Sequence, residues 1–283
     1  MCHVCVIEGV KAEVTRRTML AGAIAAGAGG PALSPGRARA QSEAQPVSFT
    51  RVVDLTHTLT PDFPTFDGSP AFTTEDLFTY EVDKLNMKIL RYAEHIGTHF
   101  DAPIHFSTDG ATIDQIPIED LVCPLVIIDV REAVSANPDY RLSPDDIAAF
   151  EARYGEIPEN ACVAMLSGWE EKLVSGGFRG EDANGESHFP GFDVETARFL
   201  IRERSVNGIA VDTLTLDAAQ VSTNDVHDTW LPSGRFGIEC VANLAELPPI
   251  GATLIGGAPK FQGSTGDRVE SWRSFSLSAA MAR

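Results

Sequence analysis

Basic residues are scarce in this 283-residue chain, in which 22 Lys and Arg face 40 Asp and Glu for a formal charge of −18 at pH 7. A protein that grips nucleic acid or anionic lipid head groups by neutralising phosphates needs the opposite balance, so those roles are excluded. Long apolar runs are missing as well. The charge-free stretch from Met19 to Gly36 is mostly Ala and Gly and is interrupted by Pro31 and Pro35, short of the roughly 20 strongly apolar residues of a stable membrane span. No glycine-rich phosphate loop follows a strand-like run: Gly22, Gly27, Gly29 and Gly30 lie in that same stretch, and Gly176-Gly177 sits in a polar loop. A nucleotide cofactor therefore has no seat. Cysteine is sparse, with five in all, and repeats and low-complexity segments are lacking. With 43% hydrophobic and 22% charged residues, the composition is that of a soluble globular chain.

What is present begins with an export signal. Thr15-Arg16-Arg17-Thr18-Met19-Leu20 is a twin-arginine motif, followed by the Ala/Gly run and a small-residue site, Ala38-Arg39-Ala40, before Gln41. We expect residues 1–40 to be a twin-arginine signal peptide, 41–50 a polar linker and 51–283 a single domain, with a periplasmic or secreted location after export by the twin-arginine translocase. Cys2 and Cys5 leave with the signal. Cys123, Cys162 and Cys240 remain, an odd number; Cys123 and Cys162 sit in apolar runs, which reads as buried free thiols rather than a disulfide framework.

Strand-like runs occur at Val52–Leu55, Met87–Tyr92, Leu125–Val130, Cys162–Leu166, Gly208–Val211 and Thr253–Ile255. Two helices are signalled. Ser143-Pro144-Asp145-Asp146 supplies an N-cap, a first-turn Pro and early acids before Ile147–Tyr154; Asp193 caps a second, with Val194, Ala197, Leu200 and Ile201 as its apolar stripe. Strands outnumber helices and interleave with them only in part, predicting a mixed α/β fold rather than a regular βαβ array.

The chemistry concentrates in His95-Ile96-Gly97-Thr98-His99-Phe100-Asp101-Ala102-Pro103-Ile104-His105-Phe106, which holds three of the seven histidines. Gly97 and Pro103 argue against a helix. Read as extended chain, the segment places His95, His99, Asp101 and His105 on one face and mostly apolar residues on the other. One such histidine alone reads as surface or core; three with an aspartate on one face read as a site for Zn²⁺ or Mn²⁺, with room for an activated water. A distal donor pair is expected. His227 with Glu239 twelve residues later is the best candidate, because Glu239 stands in apolar Gly237-Ile238-Glu239-Cys240, while His57 and His188 compete.

The motif His-x-Gly-Thr-His-x-Asp-x-Pro-x-His, complete at 95–105, resembles that of the metal-dependent cyclase family, which includes bacterial kynurenine formamidase and isatin hydrolase. The resemblance continues through Asp54-Leu55-Thr56-His57, Ser167-Gly168-Trp169, Phe189-Pro190-Gly191, the Val211–Asp217 run, Ile238–Leu244 and Gly263-Ser264-Thr265-Gly266. It implies a swivelling β/β/α fold with a mixed, partly barrel-like sheet and flanking helices, and commonly a homo-oligomer. It implies His95, His99, Asp101, His227 and Glu239 as ligands of one or two divalent ions, with His105 as general base. Isatin hydrolases of the family carry Gln where this chain has Glu239, which tilts the resemblance toward the formamidase branch.

The expected activity is hydrolysis of an amide C–N bond by activated water, arylformamidase-like, with isatin-type opening of a cyclic amide as the alternative. A periplasmic location fits tryptophan catabolism poorly and points instead to an environmental aromatic amide or indole derivative. Two strand steps separate Asp101 from His105, so a bend at Pro103 must return His105 to the metal. Trp169 and Phe66 are candidate substrate-binding residues, with Phe72 and Phe189 as further aromatics near family motifs. A non-catalytic periplasmic metal- or ligand-binding protein would use the same donors; His105, with no role in mere binding, favours the enzyme.

Overall fold

The computed structural model describes residues 49–268 and the backbone of 275–276; the expected signal peptide and nearly all of the linker lie outside the described residues. An antiparallel hairpin comes first, β1 (Phe72–Phe78) and β2 (Met87–Tyr92), joined through the short helix α1 (Tyr80–Asp83). Then come β3 (His99–Asp101), β4 (Val122–Asp129), α2 (Arg131–Ala136), β5 (Arg141–Leu142), α3 (Pro144–Tyr154) and β6 (Cys162–Leu166). These are followed by α4 (Glu171–Ser175), β7 (Gly191–Phe192), α5 (Val194–Glu203), β8 (Gly208–Val211), α6 (Asp225–Trp230) and β9 (Phe236–Glu239). Three strands close the described chain, β10 (Ala252–Ile255), β11 (Gly266–Arg268) and β12 (Phe275–Ser276).

Eight strands form one mixed sheet in the order β11-β3-β9-β8-β6-β4-β10-β12, curled into a half-barrel. Its centre, β4-β6-β8-β9, is parallel, and helices in the intervening segments make the crossovers. The two flanks are antiparallel. This is the mixed α/β architecture expected from the sequence.

All five residues of β6 are buried. Val163 and Met165 join Ile147, Phe150, Ala197 and Leu200 of α3 and α5 on one side of the sheet. Cys162, Ala164 and Leu166 join Leu55, Phe100, Ile238 and Leu254 on the other. A strand covered on both faces reads as a continuous apolar run, which is why β6 and β8 match the predicted boundaries. The α3 cap is as predicted: Ser143 and Asp146 form a capping box, the Ser143 N–H donating to Asp146 Oδ2 at 2.7 Å. Asp193 caps α5 by accepting from the Glu195 N–H at 2.8 Å; each cap contributes about 1 kcal/mol.

Val52–Leu55 is not a strand; Val53 alone makes a bridge there. Asp54 Oδ1 accepts from the Thr56 N–H at 3.0 Å, a local turn that competes with strand pairing. Conversely, β1 has a mostly exposed, charge-bearing sequence, so no alternation announces it. Cys123, Cys162 and Cys240 are buried and free, as expected. Burial pushes the Cys123 thiol up to about 12, which makes it a poor nucleophile. Among the described residues no helix is long and apolar enough to cross a membrane.

Candidate metal centre

Alternation in β3 sends Phe100 into the core, its ring 5.4 Å from that of Phe236, and turns His99 and Asp101 the other way. The antiparallel register with β9 sets His99 opposite Glu239 and Asp101 opposite Gly237. Glu239 is therefore delivered by pairing: its Oε2 lies 3.3 Å from His99 Nε2. A Cβ at position 237 would stand 3.3 Å from Asp101 Oδ2 and 2.7 Å from Leu216 Cδ1, so the glycine leaves room for the carboxylate.

Each imidazole is fixed from outside. Gly97, at φ +64°, accepts the His99 Nδ1–H on its carbonyl at 2.8 Å, which turns Nε2 inward, 3.4 Å from Asp101 Oδ1. His95 reaches Asp101 Oδ1 through Nδ1 at 2.7 Å, and its Nε2 contacts Thr265 Oγ1 at 3.0 Å. His227, on α6, points Nε2 at Glu239 Oε1, 3.1 Å away, and at Asp101 Oδ2, 3.4 Å away. Its Nδ1 is 2.6 Å from Asp217 Oδ2. Asp217 also accepts the N–H groups of Val226 and His227 at the start of α6, so one carboxylate caps the helix and aims its histidine.

The bend required at Pro103 is present. A 3₁₀ turn, Pro103–Phe106, follows β3 directly and stacks the His105 ring on His95, centroids 3.8 Å apart and planes 20° apart. His105 is 6.2 Å from the His227 ring.

Burial opposes charge throughout this cluster, and its members answer by pairing. Desolvation works against the charged form of Asp101, yet its contacts with His227, His95 and His99 hold the carboxyl well below the usual range. Desolvation lowers the His99 pKa, but Asp101 and Glu239 outweigh it and raise it to about 10; His227 is raised by Asp101, Asp217 and Glu239 in the same way. His105, whose ring contacts are imidazole and phenyl, is lowered to about 4 by burial.

Two atoms test whether a cation belongs here. His99 Nε2 and Asp101 Oδ2 are buried and neither makes a hydrogen bond, a costly condition that a shared cation relieves. His99, Asp101 and Glu239 bring ligand atoms within 4.8 Å of one another, and Asp101 is also approached by His95 Nδ1 at 2.7 Å and His227 Nε2 at 3.4 Å. Imidazole nitrogens mixed with carboxylate oxygens suit a borderline divalent ion such as Zn²⁺ or Mn²⁺. The residues present fit the group.

The cluster forms one wall of a cavity of about 270 Å³ that also meets Phe66, Phe106, Leu214 and Asn224. Phe66 stands at the mouth, 64% exposed, on a loop whose Thr65 and Phe66 carbonyls both accept from the Arg179 guanidinium. Trp169 is not at the cavity, a correction to the sequence reading. Asp212 accepts the N–H groups of Ser167, Gly168 and Trp169, and Gly168 sits at φ +76°. The chain thus turns sharply after β6 and drives the indole into the core, where its Nε1–H meets the Phe178 carbonyl at 2.8 Å. Phe72 and Phe189 are core residues too. Neither competing histidine joins the centre: His57 packs against Phe63 and Phe178, and His188 pairs with Asp139 at 2.8 Å. The sequence reading gave no site role to Asp217, named only within the Val211–Asp217 run, or to Phe106, whose ring lies 4.7 Å from His227.

Asp217→Asn is expected to keep the fold but to weaken metal binding by about 10- to 100-fold, since the group orienting a metal-bound histidine tunes its affinity on that scale. Chelator competition checks this; affinity equal to wild type would reduce Asp217 to a helix cap.

Known proteins share this arrangement of chain. The family described as "Putative cyclase" matches residues 53–218. The isatin hydrolase of Roseibium aggregatum is 31% identical over 240 residues, covering 77% of this chain and 89% of that protein. Among solved structures, isatin hydrolase A from Labrenzia aggregata, bound to benzyl benzoate, has a TM-score of 0.75 at 34% identity, covering 80% of this chain and 94% of that one. Isatin hydrolase A from Ralstonia solanacearum has a TM-score of 0.74 at 33% identity, covering 80% and 92%. With its motif folded into one buried donor cluster and with relatives of this identity and coverage, the chain belongs to the cyclase family.

Proposed function

We propose that this hydrolase of the cyclase family uses a divalent metal to open a small cyclic amide of the isatin type. The observation that carries this is the convergence of His95, His99, His227 and Glu239 on one cavity wall, beside a separately held His105 and around the buried carboxylate of Asp101. Its isatin hydrolase relatives supply the substrate class. A bound divalent ion would contribute Lewis acidity that makes water nucleophilic near neutral pH.

The chain's own groups do the rest. Burial keeps His105 uncharged at neutral pH, so it can take the proton of the attacking water. As the C–O bond forms and the C–N bond breaks, the same histidine returns that proton to the departing nitrogen. Stacking on His95 fixes its ring for both transfers. Phe66 and Phe106 offer aromatic surfaces to a flat bicyclic ring, and a cavity of about 270 Å³ has room for one.

His105→Ala is expected to lower kcat by about 10²- to 10⁴-fold while metal content stays at the wild-type level. Loss of the metal together with activity would make His105 a ligand. Arylformamide cleavage is a second reading, favoured by Glu239: with Asp101 it offers two carboxylates, a donor set suited to a second ion. Parallel assays on isatin and N-formylkynurenine decide between them, and faster turnover of the formamide would overturn the first reading.

We also propose export of the folded protein through the twin-arginine route, on the Arg16-Arg17 motif. Arg16→Lys with Arg17→Lys is expected to retain it in the cytoplasm.

A further inference from the structure

We propose that Glu94 and Thr265 fix the tautomer of His95 and thereby set how tightly the centre holds its cation, an inference that rests on reading His95 as a metal donor. Neither residue belongs to the ligand set. Thr265 arrives through backbone pairing: β11 runs antiparallel to β3, and the Ala102 N–H donates to the Thr265 carbonyl at 2.9 Å. The His95 ring lies against Gly266, where a Cβ would stand 2.6 Å from its Cε1.

The hydrogen-bond chain has one consistent direction. The Thr265 hydroxyl donates to Glu94 Oε2, and the Thr265 N–H donates to the same oxygen at 3.1 Å. Ser264 Oγ lies 2.6 Å from the other carboxylate oxygen, Oε1. A hydroxyl has a single proton. With that proton given to Glu94, Thr265 Oγ1 can only accept from His95 Nε2, 3.0 Å away. Nε2 then carries the hydrogen, which leaves Nδ1, 2.7 Å from Asp101 Oδ1, as the ring atom able to give its lone pair to a cation shared with that carboxylate.

The alternative tautomer has its own attraction. A hydrogen on Nδ1 would donate directly to Asp101, and the atom needed by a cation would be blocked. The Glu94–Thr265 pair tips this choice, and the Glu94 charge, relayed through the hydroxyl, makes Nδ1 a stronger donor. Thr265 and Glu94 are thus positioning residues that act through His95.

The test measures Zn²⁺ affinity of the full chain by chelator competition, with the protonated ring nitrogen of His95 read from long-range ¹⁵N NMR and the melting temperature of the metal-free protein recorded alongside. Thr265→Val is expected to weaken Zn²⁺ binding by about 10- to 100-fold, to move the His95 hydrogen to Nδ1 in the metal-free protein, and to change its melting little. Thr265→Ser restores both readouts. Glu94→Gln, which keeps the shape and removes the charge, shows a smaller loss and carries the test if Thr265→Val fails to fold. The proposal is overturned by a Thr265→Val protein that binds Zn²⁺ as wild type does, by retention of the Nε2 hydrogen, or by Ser264→Ala weakening binding equally, which would mean that loop support alone matters. A wild-type chain that binds no Zn²⁺ would overturn the metal reading itself.

Discussion

Asp101→Ala is expected to abolish metal binding and to lower kcat/KM for amide opening by at least about 10⁴-fold, the rate equivalent of losing roughly 5 kcal/mol of charge stabilisation at the reacting carbonyl. The size of the effect follows from where this carboxylate sits. It is fully buried, lies 2.7 Å from His95 and 3.4 Å from both His99 and His227, and shares a donor triplet with His99 and Glu239. No other side chain in the centre touches three imidazoles in this way. Asp101→Asn, nearly identical in shape, separates charge from packing: it is expected to fold like wild type and still to lose the metal. Elemental analysis beside circular dichroism reads the outcome. An Asp101→Ala protein with full metal content would show that the centre lies elsewhere.

Metal uptake at neutral pH is expected to release protons, and metal affinity to rise by up to about tenfold per pH unit for each proton displaced. The sign follows from the metal-free cluster. Desolvation is outweighed by Asp101 and Glu239, so His99 titrates at about 10 instead of 6.5, and His227 is raised for the same reason. The His99 ring thus holds a proton at pH 7 that a cation must displace, and the upward shift of His227 acts in the same direction. The same shift governs stability of the metal-free chain: a raised folded-state pKa stabilises fully below 6.5, and that contribution is lost as pH climbs through about 10. Titration calorimetry in two buffers of different ionisation enthalpy counts the protons. Heats independent of buffer would contradict the pairing described here.

The centre was largely legible in the sequence because its main segment is short and local. Alternation alone places His99 and Asp101 on one face, and the need to bring His105 back required the turn found at Pro103–Phe106. His227 and Glu239 were harder. Their approach depends on β3 pairing with β9 and on α6 being capped by Asp217, long-range facts that spacing does not encode. Trp169 illustrates the opposite failure: an aromatic beside a motif looked like a pocket wall, whereas the turn held by Asp212 buries it. Thr265 stood in the Gly263–Gly266 run that carries the resemblance, but its pairing with Glu94 left no local signal, since the two are 171 positions apart and meet through the β11–β3 register. In the fold, strands buried on both faces were legible as apolar runs, while the exposed β1 and the short β11, which lacks an apolar run, were not.

The most direct test of the account is the rate of isatin ring opening by the purified chain, measured after chelation and again after return of Zn²⁺ or Mn²⁺. The account predicts turnover that disappears with the metal and returns with it. Turnover that survives complete metal removal, or a metal-loaded protein that opens neither isatin nor any other small cyclic amide, would contradict it.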